Sequence, residues 1–178
     1  MQTLTDIETL AEPKLVATYG AADGKALWGE YVQARQKAVH EILPHIARTE
    51  PYLTDYGPEH IRNVFDNAFL LPSSKGCTGK DSKTALNANE RYFLSLAILL
   101  HDLGNIHGRK EHNRHLEESC KSARGSDPRL LPEKRLLFAI VEAHCGQTRE
   151  GHETPSEAWI RQTRFGKTGW TPGELLLY

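Results

Sequence analysis

The 178-residue chain is short of the features that mark several protein classes, and each shortage removes a reading. Its three cysteines, Cys77, Cys120 and Cys145, are odd in number and lack the C-x-x-C spacing of zinc ribbons and thioredoxin-like sites. Such usage fits a reducing cytosol. No charge of either sign dominates, with a formal net charge of −1 and a pI near 6.8, so no global field steers the chain toward nucleic acid or an anionic membrane. No apolar run is long enough to cross a bilayer, and Met1 to Asp6 lacks the basic and apolar regions of a signal peptide. A soluble, cytoplasmic protein is expected. A phosphate-binding loop is excluded as well: Gly79-Lys80 is followed by Asp81, lacks the required upstream glycine and follows no strand, so residues 73–83 read as a surface loop. Strand-like alternation, internal repeats and low-complexity tracts are absent, and the length suits one core.

Against these absences stand nine histidines, most of them between His60 and His144, beside a single methionine. The periodicities around them are helical. From Ala26 to Ile46, Leu27, Tyr31, Ala34, Ala38, Ile42 and Ile46 recur at helical spacing, which predicts a long amphipathic helix that Pro44 bends or ends. Gly57-Pro58 opens a second helix, striped by Ile61, Val64, Phe65, Ala68 and Phe69 and stopped at Pro72. Asn87 with Glu90 forms a capping-box signature, and the apolar run from Tyr92 to Leu100 predicts a central helix buried on all sides. It ends in His101-Asp102-Leu103-Gly104-Asn105, where Gly104 or Asn105 is expected in the left-handed closing conformation. A fourth helix from Glu111 to Ala123 carries His112 and His115 on one face, and a fifth from Pro132 to Gly146 carries Leu136, Leu137, Ile140, Val141 and His144. Thr154-Pro155-Ser156-Glu157 starts a short helix, and Thr171-Pro172-Gly173-Glu174 starts another that Tyr178 cuts off. The fold class is all-α.

His101-Asp102 joins an imidazole to a carboxylate, a pairing suited to borderline and hard divalent ions. The dipeptide alone is common. Its position is informative, because a buried helix ends on it and His60, one turn into the preceding helix, can face it. His115 and His144 continue the series on the next two helices. Each buried imidazole needs a hydrogen-bond partner, so inward histidines on successive helices are harder to explain by packing than by a shared ion.

Glu59-His60-Ile61-Arg62-Asn63-Val64 and Leu99-Leu100-His101-Asp102-Leu103-Gly104 resemble the first histidine and the His-Asp motif of the HD superfamily of metal-dependent phosphohydrolases. His115-Leu116-Glu117-Glu118-Ser119 and Val141-Glu142-Ala143-His144 resemble the segments that give the third and fourth histidines in two-metal members, so the likeness runs from about Tyr52 to Gly146. The resemblance implies an HD-domain-like helical bundle, with residues 1–50 as an N-terminal helical region packed on a core of 51–178. It implies that His60, His101, Asp102, His115 and His144 hold one or two divalent ions (Mn, Fe, Co, Ni, Zn or Mg), with Asp102 catalytic and bridging if there are two. His112 is the rival to His115. The implied reaction is hydrolysis of a nucleotide or other phosphate ester through a metal-activated water, with Arg62, Asn105 and Arg109 on the side of a small phosphate-containing substrate.

Two departures from the family pattern stand out. Asn105 occupies a place where many members carry lysine, and no aspartate follows Asp127 to supply the usual last ligand. Either the ligand set is incomplete or the chain is a fragment with a further C-terminal segment. The lost aspartate favours a second reading, a catalytically weak HD-type module that binds metal or nucleotide for signalling. A third is a helical interaction domain without metal, its histidines being core residues or pH-sensitive contacts.

Overall fold

A computed structural model describes residues 5–49, 57–73, 87–108, 115–124 and 137. Every regular element among them is a helix, and the fold is all-α. The expected loop at 73–83 is corrected at its first residue, since the second helix runs through Pro72 to Ser73; the rest of it and the helices at 132–146, 154–160 and 171–178 lie outside the described residues, save for Leu137, which is helical and buried.

The first helix, α1 (Asp6–Lys37), starts well before Ala26 and is interrupted at Gly20, where φ is 85° and ψ 169°. Only glycine adopts that conformation without a steric penalty. The chain doubles back there, so residues 6–19 and 21–37 form an antiparallel helical hairpin. Two observations fix the pairing. Glu8 meets Tyr31 and Arg35 across the hairpin. Nearer the turn, a Cβ added at Gly24 would lie 2.6 Å from the Cα and N of Val16. Because those neighbours are backbone atoms, they cannot swing aside. Gly24→Ala is therefore expected to cost about 1–3 kcal/mol through overpacking, read as a lower urea midpoint at an unchanged m-value.

Thr5 and Glu8 cap the first arm reciprocally, and the Glu8 carboxylate is fully buried. Its Oε2 accepts from Thr5 N–H at 2.7 Å and Thr5 Oγ1 at 2.9 Å. Its Oε1 accepts from Tyr31 Oη and Arg35 Nε, each at 2.5 Å. Burial, reinforced by the Glu8 charge, pushes the Tyr31 hydroxyl well above the ordinary tyrosine range. The Tyr31 ring also stacks on Trp28, with centroids 5.0 Å apart.

Pro44 neither ends nor simply bends the helical run that precedes it. Proline has no N–H to donate, and its ring clashes with the carbonyl four residues back. A π-helical turn, Ala38–Ile42, absorbs the conflict: Leu43 N–H donates to Ala38 O, one residue further back than in an α-helix, and α2 (Leu43–Thr49) carries the run onward.

Helix α3 (Pro58–Ser73) buries Ile61, Phe65 and Ala68. The expected capping box opens α4 (Ala88–Leu100): Glu90 N–H donates to Asn87 Oδ1 at 3.0 Å, and Asn87 N–H to Glu90 Oε2 at 2.7 Å. Within α4 only Asn89 is exposed and Phe93 half-buried, so the expectation of an enclosed central helix holds. It packs against α1 and α3.

Beyond α4 the expectation for Gly104 and Asn105 is corrected. Both belong to a 3-10 helix, Leu103–His107, and the positive φ falls at Gly108, at 88°. The tighter turn satisfies backbone groups without a left-handed residue, since Asn105 N–H donates to Asp102 O at 3.0 Å and Gly108 N–H to Asn105 O at 2.9 Å. Helix α5 (Leu116–Arg124) packs on this 3-10 helix and on α1. No helix among the described residues is long and apolar enough to cross a membrane.

Candidate metal centre

The last turn of an α-helix leaves carbonyl oxygens without intrahelical partners and carries the negative end of the helix dipole. Both properties favour a cation where α4 delivers His101 and Asp102. His101 N–H donates to Ala97 O at 2.9 Å, and its ring bends back so that Nδ1 lies 2.8 Å from Ile98 O. A carbonyl oxygen only accepts, so Nδ1 carries a proton, and in that tautomer the lone pair stands at Nε2. This is the arrangement by which metal-binding histidines are commonly oriented.

His101 Nε2 lies 2.8 Å from Asp102 Oδ2 and 3.3 Å from His60 Nε2. His60 Nε2 is in turn 3.2 Å from the same Oδ2. Metal–donor bonds of roughly 2.0–2.1 Å set neighbouring donors about 3.0 Å apart in an octahedron and about 3.3 Å apart in a tetrahedron. The triangle fits a face of either polyhedron as it stands. With the Nε2 lone pair turned to the carboxylate oxygen 2.8 Å away, the contact is favourable only with a proton or a metal cation between them. One divalent ion on this face satisfies all three donors, so these residues fit a metal.

Asn105 supports the carboxylate from behind. Its side chain is buried, and Nδ2 donates to Asp102 Oδ1 at 3.1 Å, leaving Oδ2 turned toward the two imidazoles. The His101 and Asp102 side chains are 13% and 8% exposed against 29% for His60, so the centre opens on the α3 side. Asn105→Ala is expected to weaken metal binding by about 10–100-fold with little change in helical content, measured by competition against a chromophoric chelator.

The other residues singled out in the sequence lie apart from this triangle or outside the described residues. Asn67 is exposed on α3. Arg62 is also exposed. It lines a shallow open cleft with Thr5, Arg35, Pro58 and Phe65, between α1 and α3. None of the three converging donors lines that cleft. His115 stands at the start of α5, with Nδ1 3.3 Å from Glu118 Oε2 and its ring stacked on His107. Arg109, Lys110, His112, Asp127 and His144 lie outside the described residues.

Two sets of residues escaped the sequence reading. Glu8 was not singled out, although Thr5 three residues before it offered a capping signal. His107 could have been noticed six residues beyond His101, but a helix wheel does not describe a 3-10 turn.

The described residues thus form a helical domain in which two imidazoles and a carboxylate converge with metal-ligand spacing. The chain belongs to the HD-CE family, whose profile matches residues 50–176. No curated protein and no solved structure matches it.

Proposed function

We propose that this protein is a metal-dependent phosphohydrolase of the HD type, acting on a nucleotide or another small phosphate ester. The triangle of His60 Nε2, His101 Nε2 and Asp102 Oδ2 carries this reading, supported by membership of the HD-CE family. A divalent ion bound there supplies Lewis-acid charge to phosphoryl oxygens and lowers the pKa of water toward neutrality. The chain's own residues do the rest. His101, tied to Ile98 O, offers its second nitrogen in a fixed direction. Asp102 contributes negative charge at the corner shared by both imidazoles, and Asn105 holds the carboxylate in place. The more exposed His60 marks the side from which a phosphate group enters. His115 and His144 remain proposed as further ligands, and Arg62 and Arg109 as phosphate contacts. Cytoplasmic residence and a small diffusible substrate complete the reading.

The test is a panel of phosphomonoesters, phosphodiesters and nucleoside phosphates. Chelator-stripped protein is assayed before and after reconstitution with Mn, Fe, Co, Ni, Zn or Mg. Turnover that depends on added ion and is lost in His60→Ala supports the proposal. Bound ion with no turnover on any substrate class favours the weakly catalytic binding module.

A further inference from the structure

We propose that Pro44 is a positioning residue for the metal centre: the π-helical turn it imposes sets α2 against the 3-10 helix that carries Asn105, and Asn105 fixes the Asp102 carboxylate. The inference rests on the metal reading of the donor triangle. It extends that reading to residues 38–49, which precede the stretch matched by the family profile.

The π-helical turn changes the register of the buried side chains. Up to its first residue, Tyr31, Ala34 and Ala38 face the core; beyond that, Val39, Ile42, Leu43 and Ile46 do. Each residue of an α-helix advances about 100° around the axis, so a continuous α-helix would set the second group roughly 100° from the first. The π-helical turn holds one residue more than an α-helical turn and takes that rotation back, which brings both groups onto one face. Wound as a continuous α-helix, the segment would turn the exposed His45 toward the core and carry Leu43 away from it.

Pro44 removes the α-helical alternative. An α-helix would call on an N–H at residue 44 to donate to His40 O and would press the proline ring against that carbonyl. The π-helical bond from Leu43 N–H to Ala38 O falls one residue before the proline and needs neither.

The rotation reaches the metal centre through what α2 touches. Both the π-helical turn and α2 pack on the 3-10 helix, Leu103–His107, whose Leu103 and Asn105 are buried. A 3-10 helix of five residues has too few internal bonds to hold its own place, so the elements packed on it set its position. Two bonds then run from Asn105 to Asp102: the backbone N–H donates to Asp102 O at 3.0 Å, and Nδ2 to Oδ1 at 3.1 Å. A displaced 3-10 helix therefore moves the carboxylate whose Oδ2 completes the donor triangle.

Titration of the full chain with Zn²⁺ in competition with a chromophoric chelator tests the inference. Pro44→Ala restores the N–H, removes the ring and leaves the segment free to rewind. It is expected to weaken Zn²⁺ binding about tenfold, with helical content retained by circular dichroism. Gly24→Ala, which strains the hairpin away from α2, controls for stability alone and is expected to bind Zn²⁺ as the wild type does. Because Pro44 acts through Asn105, the double variant Pro44→Ala/Asn105→Ala is expected to bind no more weakly than Asn105→Ala. Wild-type affinity in Pro44→Ala, losses that multiply in the double variant, or an equal loss in Gly24→Ala would each overturn the inference and leave the metal reading standing. Wild-type protein that binds no ion would overturn the metal reading itself, and this inference with it.

Discussion

Asp102→Asn is expected to lower phosphate-ester hydrolysis by about a hundred- to a thousandfold, with no loss of helical content. The substitution preserves size at a position that is only 6% exposed, so packing around the end of α4 is retained. It removes the negative charge that both imidazoles face, at 2.8 Å and 3.2 Å. It also offers an amide N–H that can donate to a histidine nitrogen, allowing the triangle to close without an ion. Steady-state kinetics on reconstituted protein, with circular dichroism as the folding control, measures the effect. Because the loss arises at the ion, kcat falls more than KM rises. Activity within a few-fold of wild type would place the chemistry elsewhere.

Glu8→Ala should be the most damaging single change in the hairpin, lowering stability by about 3–5 kcal/mol. It leaves the Arg35 guanidinium, 12% exposed, without its carboxylate and takes the acceptor from the buried Tyr31 hydroxyl. A pH signature accompanies it. The folded chain holds the Tyr31 proton more tightly than the unfolded chain does. Below about pH 10 both states keep that proton and the contribution is constant; above it the unfolded state releases the proton first and stability falls as pH rises. Tyr31→Phe should flatten this alkaline decline. Urea midpoints between pH 7 and 11 provide the comparison, and identical slopes in wild type and Tyr31→Phe would contradict the assignment.

The sequence displayed the parts of the fold that depend on apolar periodicity and local capping. The α4 run and its Asn87–Glu90 box were legible because burial on all sides leaves few polar positions and a capping box is a four-residue signal. The first arm of the hairpin was hidden. Among its described side chains the buried ones are Glu8, Ala11 and Leu15, one of them charged and one a single methyl group, which makes for a weak hydrophobic signal. The register change at Pro44 was hidden for a different reason: a π-helical turn is chosen by the backbone, and many side-chain patterns accommodate it.

The candidate site divides along the same line. His101-Asp102 was visible from its place at the end of an apolar helix, and His60 from its helix turn. Their convergence depends on the packing of α3 against α4, which a single sequence does not specify. Asn105 stood out as a departure from a family pattern, and its bond to Asp102 shows a local task for it behind the carboxylate. The grouping of His115 with His107 and Glu118 follows from the 3-10 helix, whose three-residue turn brings His107 toward α5.

Metal content tests the central claim most directly. Untagged wild-type protein, His101→Ala and Asp102→Ala would be purified without added metal and measured by elemental analysis. The account predicts near-stoichiometric Mn, Fe, Co, Ni or Zn in the wild type, with one equivalent missing from both variants. Wild-type protein that holds no ion, even after reconstitution with each metal in turn, would contradict it.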